Sequence, residues 1–399
     1  MKKLICTVAA LLFFLGLSAQ IPETLTLEEA ISLALENNTE LKISQKQVDI
    51  AQNDLYAGNA GLLPTISLIG NASYQNNNTD ALIRTFQETP PTVAISDGAA
   101  ATTTYSAVVQ ADYILLGGFS GKYRYQLLKD QKDMTYFQQQ LIINQTIVAV
   151  SEIFLEIVKL QSQEDLLDKN VKIGEARVQR VADQFQFGKV TGLAVLRSKT
   201  DLNLDKTALS NVQVASNNLK RDLNFLLGIE ANAGYRVSVN YQLPAPGEIL
   251  DLRNEVLANN YEIQLVHKGE EMANTQYQLN TANRLPTVNA FANYGYFNQQ
   301  NDFQQLAEVE TLGYTVGVGF RYNIFSGGRN NRNIQKAKLN QDISEFRKKQ
   351  TEDRILSEAV KEQNNLSLLQ DQLQRENENI EAFRENYSRT EERGFTMVK

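Results

Sequence analysis

The stretch "LLPTISLIGNASY" (Leu62–Tyr74) returns 222 residues later as "RLPTVNAFANYGY" (Arg284–Tyr296). Both copies open on Leu-Pro-Thr and then alternate. In the first, Ile66, Leu68, Gly70, Ala72 and Tyr74 share one side, and Ser67, Asn71, Ser73 and Gln75 share the other. In the second, Val288, Ala290, Ala292, Tyr294 and Tyr296 oppose Asn289 and Asn293. A period of two with one clean apolar face predicts strands.

Each strand has a successor of the same kind. Tyr105, Ala107, Val109, Ala111 and Tyr113 oppose Ser106, Gln110 and Asp112, while Tyr314, Val316, Val318, Phe320 and Tyr322 oppose Thr315 and Arg321. The predicted strands are 65–76, 104–114, 287–297 and 313–323. Each is close to the 9–11 residues that a tilted strand needs to cross a bilayer. Tyr74, Tyr105, Tyr113, Tyr296, Tyr314 and Tyr322 stand near their ends, as in an aromatic girdle. On the opposite phase, Asp112 and Arg321 would face a polar interior. Between Asn77 and Tyr105 the Thr/Ala/Pro-rich sequence reads as an exposed loop.

The echo extends beyond the strands. "LENNTEL" (Leu35–Leu41) matches "LANNYEI" (Leu257–Ile263) at the same offset of 222, with Asn37 on Asn259 and Asn38 on Asn260. "YILLGGFSGKYRYQ" (Tyr113–Gln126) matches "YNIFSGGRNNRNIQ" (Tyr322–Gln335) at an offset of 209, so the second copy is 13 residues shorter between its strands. Outside the strands the apolar residues take coiled-coil spacing. Ile143, Ile147, Val150, Phe154 and Ile157 form one seam, and Leu202, Leu209, Val212, Leu219, Leu223 and Leu226 another. Helices are expected over 27–59, 120–187, 189–227, 250–283 and 328–393. The second, about 67 residues long, would span roughly 100 Å. Pro64 and Pro286 mark the corners from helix to strand, because proline favours an extended residue before it. Gly117, Gly118, Gly327 and Gly328 permit the corners back to helix.

Composition bounds the function. "MKKLICTVAALLFFLGLSAQ" has the charged start, apolar centre and small-residue end of a secretory signal, so residues 1–19 are expected to be removed. Cys6 goes with them, leaving no disulfide framework and no thiolate metal site. Beyond the signal no continuous apolar run reads as long enough for a helical membrane span. The net charge of −7 speaks against a nucleic-acid partner. His267 is the chain's one histidine, in "HKGEE", and reads as a solvated helix residue. A zinc site or a Ser-His-Asp triad would have to use it, and no nucleophile-elbow motif is present. Neither catalysis, cofactor nor metal is expected.

In this order, twice, these residues resemble the TolC-like outer-membrane efflux protein family. The likeness rests on "ALENNTELK" (Ala34–Lys42), the paired "LPT" entries, the "GG" exits and "FGKVTGLAVL" (Phe187–Leu196), and covers the mature chain. It implies an α+β membrane protein of a Gram-negative outer membrane with two structural repeats, 20–234 and 235–399. Three copies would share one 12-stranded β-barrel, continued by a long helical tunnel in the periplasm. The implied partners are a homotrimer, a periplasmic adaptor and an inner-membrane pump or ABC exporter, besides outer-membrane lipid.

By the same resemblance Gly188, Val190, Thr191, Val195 and Leu196 form an adaptor-docking tip, with Gly394 at the matching place in the second copy. Ala194 stands where the family usually has an aspartate. "ERGFTMVK" (Glu392–Lys399) aligns with "QFGKVTGL" (Gln186–Leu193), so the last helix of the second repeat is expected to be missing and the repeat C-terminally truncated. The function implied is a conduit of a tripartite efflux system. The alternatives are the conduit of a type I protein secretion system and a periplasmic coiled-coil scaffold without a pore.

Overall fold

A computed structural model describes residues 23–84, 92–238, 252–302 and 307–396. The expected signal segment lies outside them. The order of elements is β1 (Thr24–Leu25), α1 (Leu27–Asn37), α2 (Thr39–Asp54), β2 (Thr65–Arg84), β3 (Thr92–Gly117), α3 (Ser120–Gln186) and α4 (Gly192–Leu227). Then follow β4 (Arg236–Val237), α5 (Leu252–Asn259), α6 (Tyr261–Ala282), β5 (Thr287–Asn301), β6 (Glu308–Arg321) and α7 (Arg329–Thr396). The chain divides into two compact units, Met1–Asp49 with Tyr136–Asp251 and Ile50–Thr135 with Leu252–Lys399.

The first unit is held by an apolar core. Leu25, Ala30, Ala34, Val150, Phe154, Ile157, Leu223 and Leu227 are buried together, joined by Tyr235 and Val237. Short β1 and β4 pair in parallel, Leu25 opposite Val237, and carry both chain segments into this core. Asn224 is fully buried there and fully used. Its amide donates to the carbonyls of Ala231 and Ala233, and its Oδ1 accepts the Tyr235 hydroxyl at 2.7 Å. Burial pushes the Tyr235 phenol up to about 12.

The sequence reading treats 27–59 as one helix; the structure breaks it at Asn38 and ends it at Asp54. The cause is local. Asn38 has extended backbone (φ −55°, ψ 126°), and its Oδ1 accepts the N–H groups of Glu40 and Leu41. It is the N-cap of α2. Its Nδ2 donates at 2.8 Å to the carbonyl of Leu226, one of the orphan acceptors at the end of α4. Gly228 follows in the left-handed conformation (φ 65°), where an added Cβ would lie 2.5 Å from the carbonyl oxygen of Asn37. Only glycine fits both the angle and the approach. The helix expected over 250–283 breaks in the same way: Asn260 caps α6, its Oδ1 accepting from Glu262 and Ile263.

Strand limits also differ from the sequence reading. The stretch read as a loop between Asn77 and Tyr105 continues the β2–β3 hairpin to the pair Arg84–Thr92, past a register shift between Asn77 and Thr79. Thr102, Thr103 and Thr104 are β-branched and suit a strand, and a hairpin in register propagates pairing outward. β6 starts earlier than expected and stops at Arg321, leaving Tyr322 beyond it. One described helix, α3, is long and apolar enough to cross a membrane by length and composition, although Asn144, Gln145, Glu152 and Glu156 interrupt its apolar run. Its Val150, Phe154 and Ile157 are instead fully buried in the core of the first unit.

Asn38→Ala removes a cap and leaves the Leu226 carbonyl without its donor, so it should cost about 2–3 kcal/mol in chemical unfolding. Asn38→Asp keeps the cap but turns a buried carboxylate oxygen toward the Leu226 carbonyl, so it should be no more stable than Asn38→Ala. Equal stability of all three proteins would contradict this role.

Candidate functional site

The second unit holds one four-stranded antiparallel sheet in the order β2-β3-β5-β6. Its register decides where the four alternating faces go. Leu68 pairs with Val109, Val109 with Tyr294, and Tyr294 with Tyr314. One step along, Ile66, Ala111, Ala292 and Val316 form the next row, and Gly70, Ala107, Tyr296 and Leu312 the row on the other side. All four apolar faces thus merge into one. Nothing among the described residues covers it: Ile66 is 75% exposed and Val316 72%. Tyr105 and Tyr113 bound this face on β3, separated by roughly 27 Å of strand at 3.4 Å per residue. Tyr74 and Tyr296 lie toward the Tyr105 end, and Tyr314 stands in the row of Val109, midway between the two.

The opposite face carries the rows Ser67–Gln110–Asn293–Thr315 and Thr65–Asp112–Phe291–Gly317. Asp112 lies here and accepts from Gln110 Nε2 at 2.7 Å; Arg321 shares this face, paired with Thr287. The face is less uniformly polar than the pattern of hydroxyls and amides implies. Phe291 lies across Gly317, where an added Cβ would come within 2.5 Å of the ring, and Val108 crowds Gly295 in the same manner. These aromatic and aliphatic covers of strand glycines were not among the residues singled out from the sequence. The signal for Phe291 was its phase against Asn289 and Asn293.

The corners are built unequally. β2 and β5 begin directly after Pro64 and Pro286. Gly118 has φ 57°, and an added Cβ would stand 2.6 Å from the Ala282 carbonyl oxygen, so this corner admits glycine alone. Gly117 is not left-handed; Phe119 takes that conformation in its place, at φ 66°. Gly327 and Gly328 are both left-handed and open to space.

The α3–α4 tip belongs to the first unit. The N–H groups of Gly188 and Lys189 return to the carbonyls of Phe185 and Gln184, at 2.9 and 2.8 Å, the pattern of a Schellman turn with Gly188 left-handed. Thr191 occupies the N-cap of α4 without donating or accepting a side-chain cap bond. Val190 and Val195 are half-buried, and Leu196 is exposed. Around them the structure adds Phe185, Phe187 and Leu193, all exposed, Phe187 by 78%. The sequence reading gives these three no role of their own, although Phe187 and Leu193 stand inside the "FGKVTGLAVL" stretch that carries the resemblance. Gly394 does not form a matching turn: α7 runs helical through it to Thr396. A glycine lowers helix propensity by about 1 kcal/mol and does not end a helix by itself.

His267 is not a simply solvated residue: its Nε2 lies 2.8 Å from Glu352 Oε1. It is one rung of a polar ladder between α6 and α7. Lys348–Glu270 at 2.8 Å, Arg354–Glu262 and Arg284–Asn331 at 2.8 Å are others. Among the described residues no cluster of three or more His, Cys, Asp or Glu side chains is placed to hold a metal.

A charge on the uncovered apolar face discriminates between lipid and water as its neighbour. Val316→Arg should cost about 2–4 kcal/mol of membrane-folded stability, as a cation at the bilayer midplane does, whereas Thr315→Arg on the polar face should fold normally. Heat-modifiable gel migration of the membrane fraction reads both. Equal tolerance would mean that the face does not meet hydrocarbon.

Residues 30–229 and 252–394 match the family model described as outer membrane efflux protein. No curated protein sequence matches the chain. Among solved structures, CusC is similar with a TM-score of 0.64 at 18% identity, over 86% of this chain and 76% of that one. The Campylobacter jejuni CmeC outer membrane channel gives 0.63 at 17%, over 84% and 72%, and the Vibrio cholerae outer membrane protein VceC gives 0.60 at 17%, over 83% and 76%. At such identities the likeness is one of fold. The family model, which spans most of the chain, carries the assignment: this protein belongs to the outer membrane efflux protein family, and its place is the outer membrane.

Proposed function

We propose that three copies of this chain close one twelve-stranded barrel and form the conduit through which a tripartite efflux system releases small molecules. One observation carries the reading. Among the described residues the sheet has four strands, an apolar face that nothing covers, and two edges, β2 and β6, each paired on one side only. Hydrocarbon cannot satisfy an open strand edge, so the β6 of one copy must meet the β2 of the next. Four strands are too few to close alone, and outer-membrane barrels begin at about eight. Twelve leave a passage wide enough for solutes.

On this reading the apolar face meets lipid, and Tyr74, Tyr105, Tyr113, Tyr296, Tyr314 and Tyr322 form its girdles. Asp112 and Arg321 line the barrel interior. The two halves are copies of one unit, a reading supported by the shared order of elements and by Asn38 and Asn260 capping equivalent helices. A periplasmic scaffold without a pore has no use for an uncovered apolar sheet. The periplasmic adaptor docks at the α3–α4 tip, where exposed Phe187, Leu193 and Leu196 surround Gly188. An inner-membrane pump, or an ABC exporter of small molecules or proteins, supplies the cargo.

Native mass spectrometry of the protein extracted from its own outer membrane should show three protomers. A monomer would end the shared-barrel reading. Replacing Phe187 and Leu193 together by Asp should weaken adaptor binding roughly 30-fold, the loss of about 2 kcal/mol expected of a central apolar contact, with the trimer intact. Calorimetric titration with the cognate adaptor measures it, and unchanged affinity would remove the tip from the interface.

A further inference from the structure

Where β3 turns into α3 and α6 turns into β5, a groove of about 300 Å³ opens between the two helices. Phe119, Tyr123, Tyr277, Thr281 and Leu285 line it, and Arg284 is the one charged residue on its wall. The groove has the volume of a small ligand site and an almost wholly apolar wall.

Phe119 is the residue that local rules do not explain. Its carbonyl accepts the first bond of α3, from the Tyr123 N–H at 3.2 Å, so it occupies the N-cap. That place favours Ser, Thr, Asp, Asn or Gly. Phe119 also adopts φ 66°, an outlier for a bulky residue, with a side chain that is 67% exposed. A strained backbone that holds an aromatic ring out at the mouth of an apolar groove points to an occupant. The surroundings name its chemistry. The groove begins where the apolar face of the sheet ends, just beyond Tyr113. At each of the four strand corners a large apolar residue is exposed: Leu63, Leu116, Leu285 and Phe325. Arg284 gives one bond to Asn331 and keeps further donors for a phosphate, which a guanidinium grips in bidentate fashion.

We infer that this groove binds a phospholipid of the periplasmic leaflet, one acyl chain lying against Phe119, Tyr123, Tyr277 and Leu285 and the phosphate meeting Arg284. The assignment rests on the reading of the sheet as membrane-embedded, and the test separates the two. The chain contains no tryptophan. Tyr277→Trp therefore places a single fluorophore in the groove, and Val316→Trp places one on the apolar sheet face. In liposomes of phospholipid brominated along the acyl chain, quenching of Val316→Trp is expected; its absence would overturn the membrane reading itself.

In detergent micelles, brominated phosphatidylglycerol should quench Tyr277→Trp with saturation at one lipid per protomer. Arg284→Gln should raise the half-saturating concentration about fivefold, the loss of one exposed charge-assisted contact. Quenching without saturation, quenching no different from that of Val316→Trp, or indifference to Arg284→Gln would overturn the proposal while leaving the membrane reading standing. A brominated fatty alcohol that binds as tightly as the phospholipid would do the same, since the site would then take any hydrocarbon chain. Should Tyr277→Trp fail to fold, Phe119→Trp gives the same readout from the opposite wall.

Discussion

The structure depends on what happens at the two outer edges of one sheet. Every second backbone N–H and C=O of β2 and β6 points away from the sheet, and no strand among the described residues meets them. In water this is a liability that charges or bulges would blunt; in hydrocarbon it is forbidden, at several kcal/mol for each unmet group. The face between those edges is apolar and uncovered, so water is the wrong solvent for it. On the proposed shared barrel, lipid on one side and closure at the edges are one requirement. It reaches into the sequence as strict alternation, because a one-residue slip on any strand would put Ser67, Gln110, Asn293 and Thr315 into the bilayer.

That alternation is why the sheet was legible. A period of two needs no partner to be visible, and the pairing merely brings Leu68, Val109, Tyr294 and Tyr314 into one row. Strand length was less legible. The pattern dissolves after Tyr74 because both faces become polar, yet the backbone goes on pairing to Arg84. Periodicity reports a difference between two faces, and it falls silent where there is none. Tyr322 erred in the other direction: it keeps the phase of Phe320, but the ladder has already ended at Arg321.

The helical breaks were harder to see for a different reason. "NNTEL" and "NNYEI" stood out as an echo, and helix periodicity passes straight through them. Whether an asparagine sits inside a helix or caps the next one depends on what its amide can reach. For Asn38 the answer is the Leu226 carbonyl, 188 positions away in sequence and invisible to any local window. Gly228 has the same character. Its need for a left-handed backbone is readable as a helix stop, but the press of the Asn37 carbonyl against it is not. The exposed apolar residues of the tip fall in this class too, since heptad spacing marks an apolar position without saying whether a partner fills the seam.

The two units are held by different forces. In the first, fully buried Phe154, Ile157, Leu223 and Leu227 with the satisfied Asn224–Tyr235 pair make a core whose disruption exposes apolar area and orphaned amides together. Between α6 and α7 of the second unit the rungs are polar: Glu262–Arg354, His267–Glu352, Glu270–Lys348, Asn274–Gln341 and Arg284–Asn331. Exposed pairs of this kind contribute about 0–1 kcal/mol each and weaken with salt. Their spacing is nonetheless antiparallel and regular, so a slip of one turn would break all of them at once. The ladder therefore selects a register more than it supplies stability. Buried Ile263 on α6 and Ala337 and Ile355 on α7 add apolar burial on the same two helices, so the polar rungs set the register of a pair that apolar area also holds.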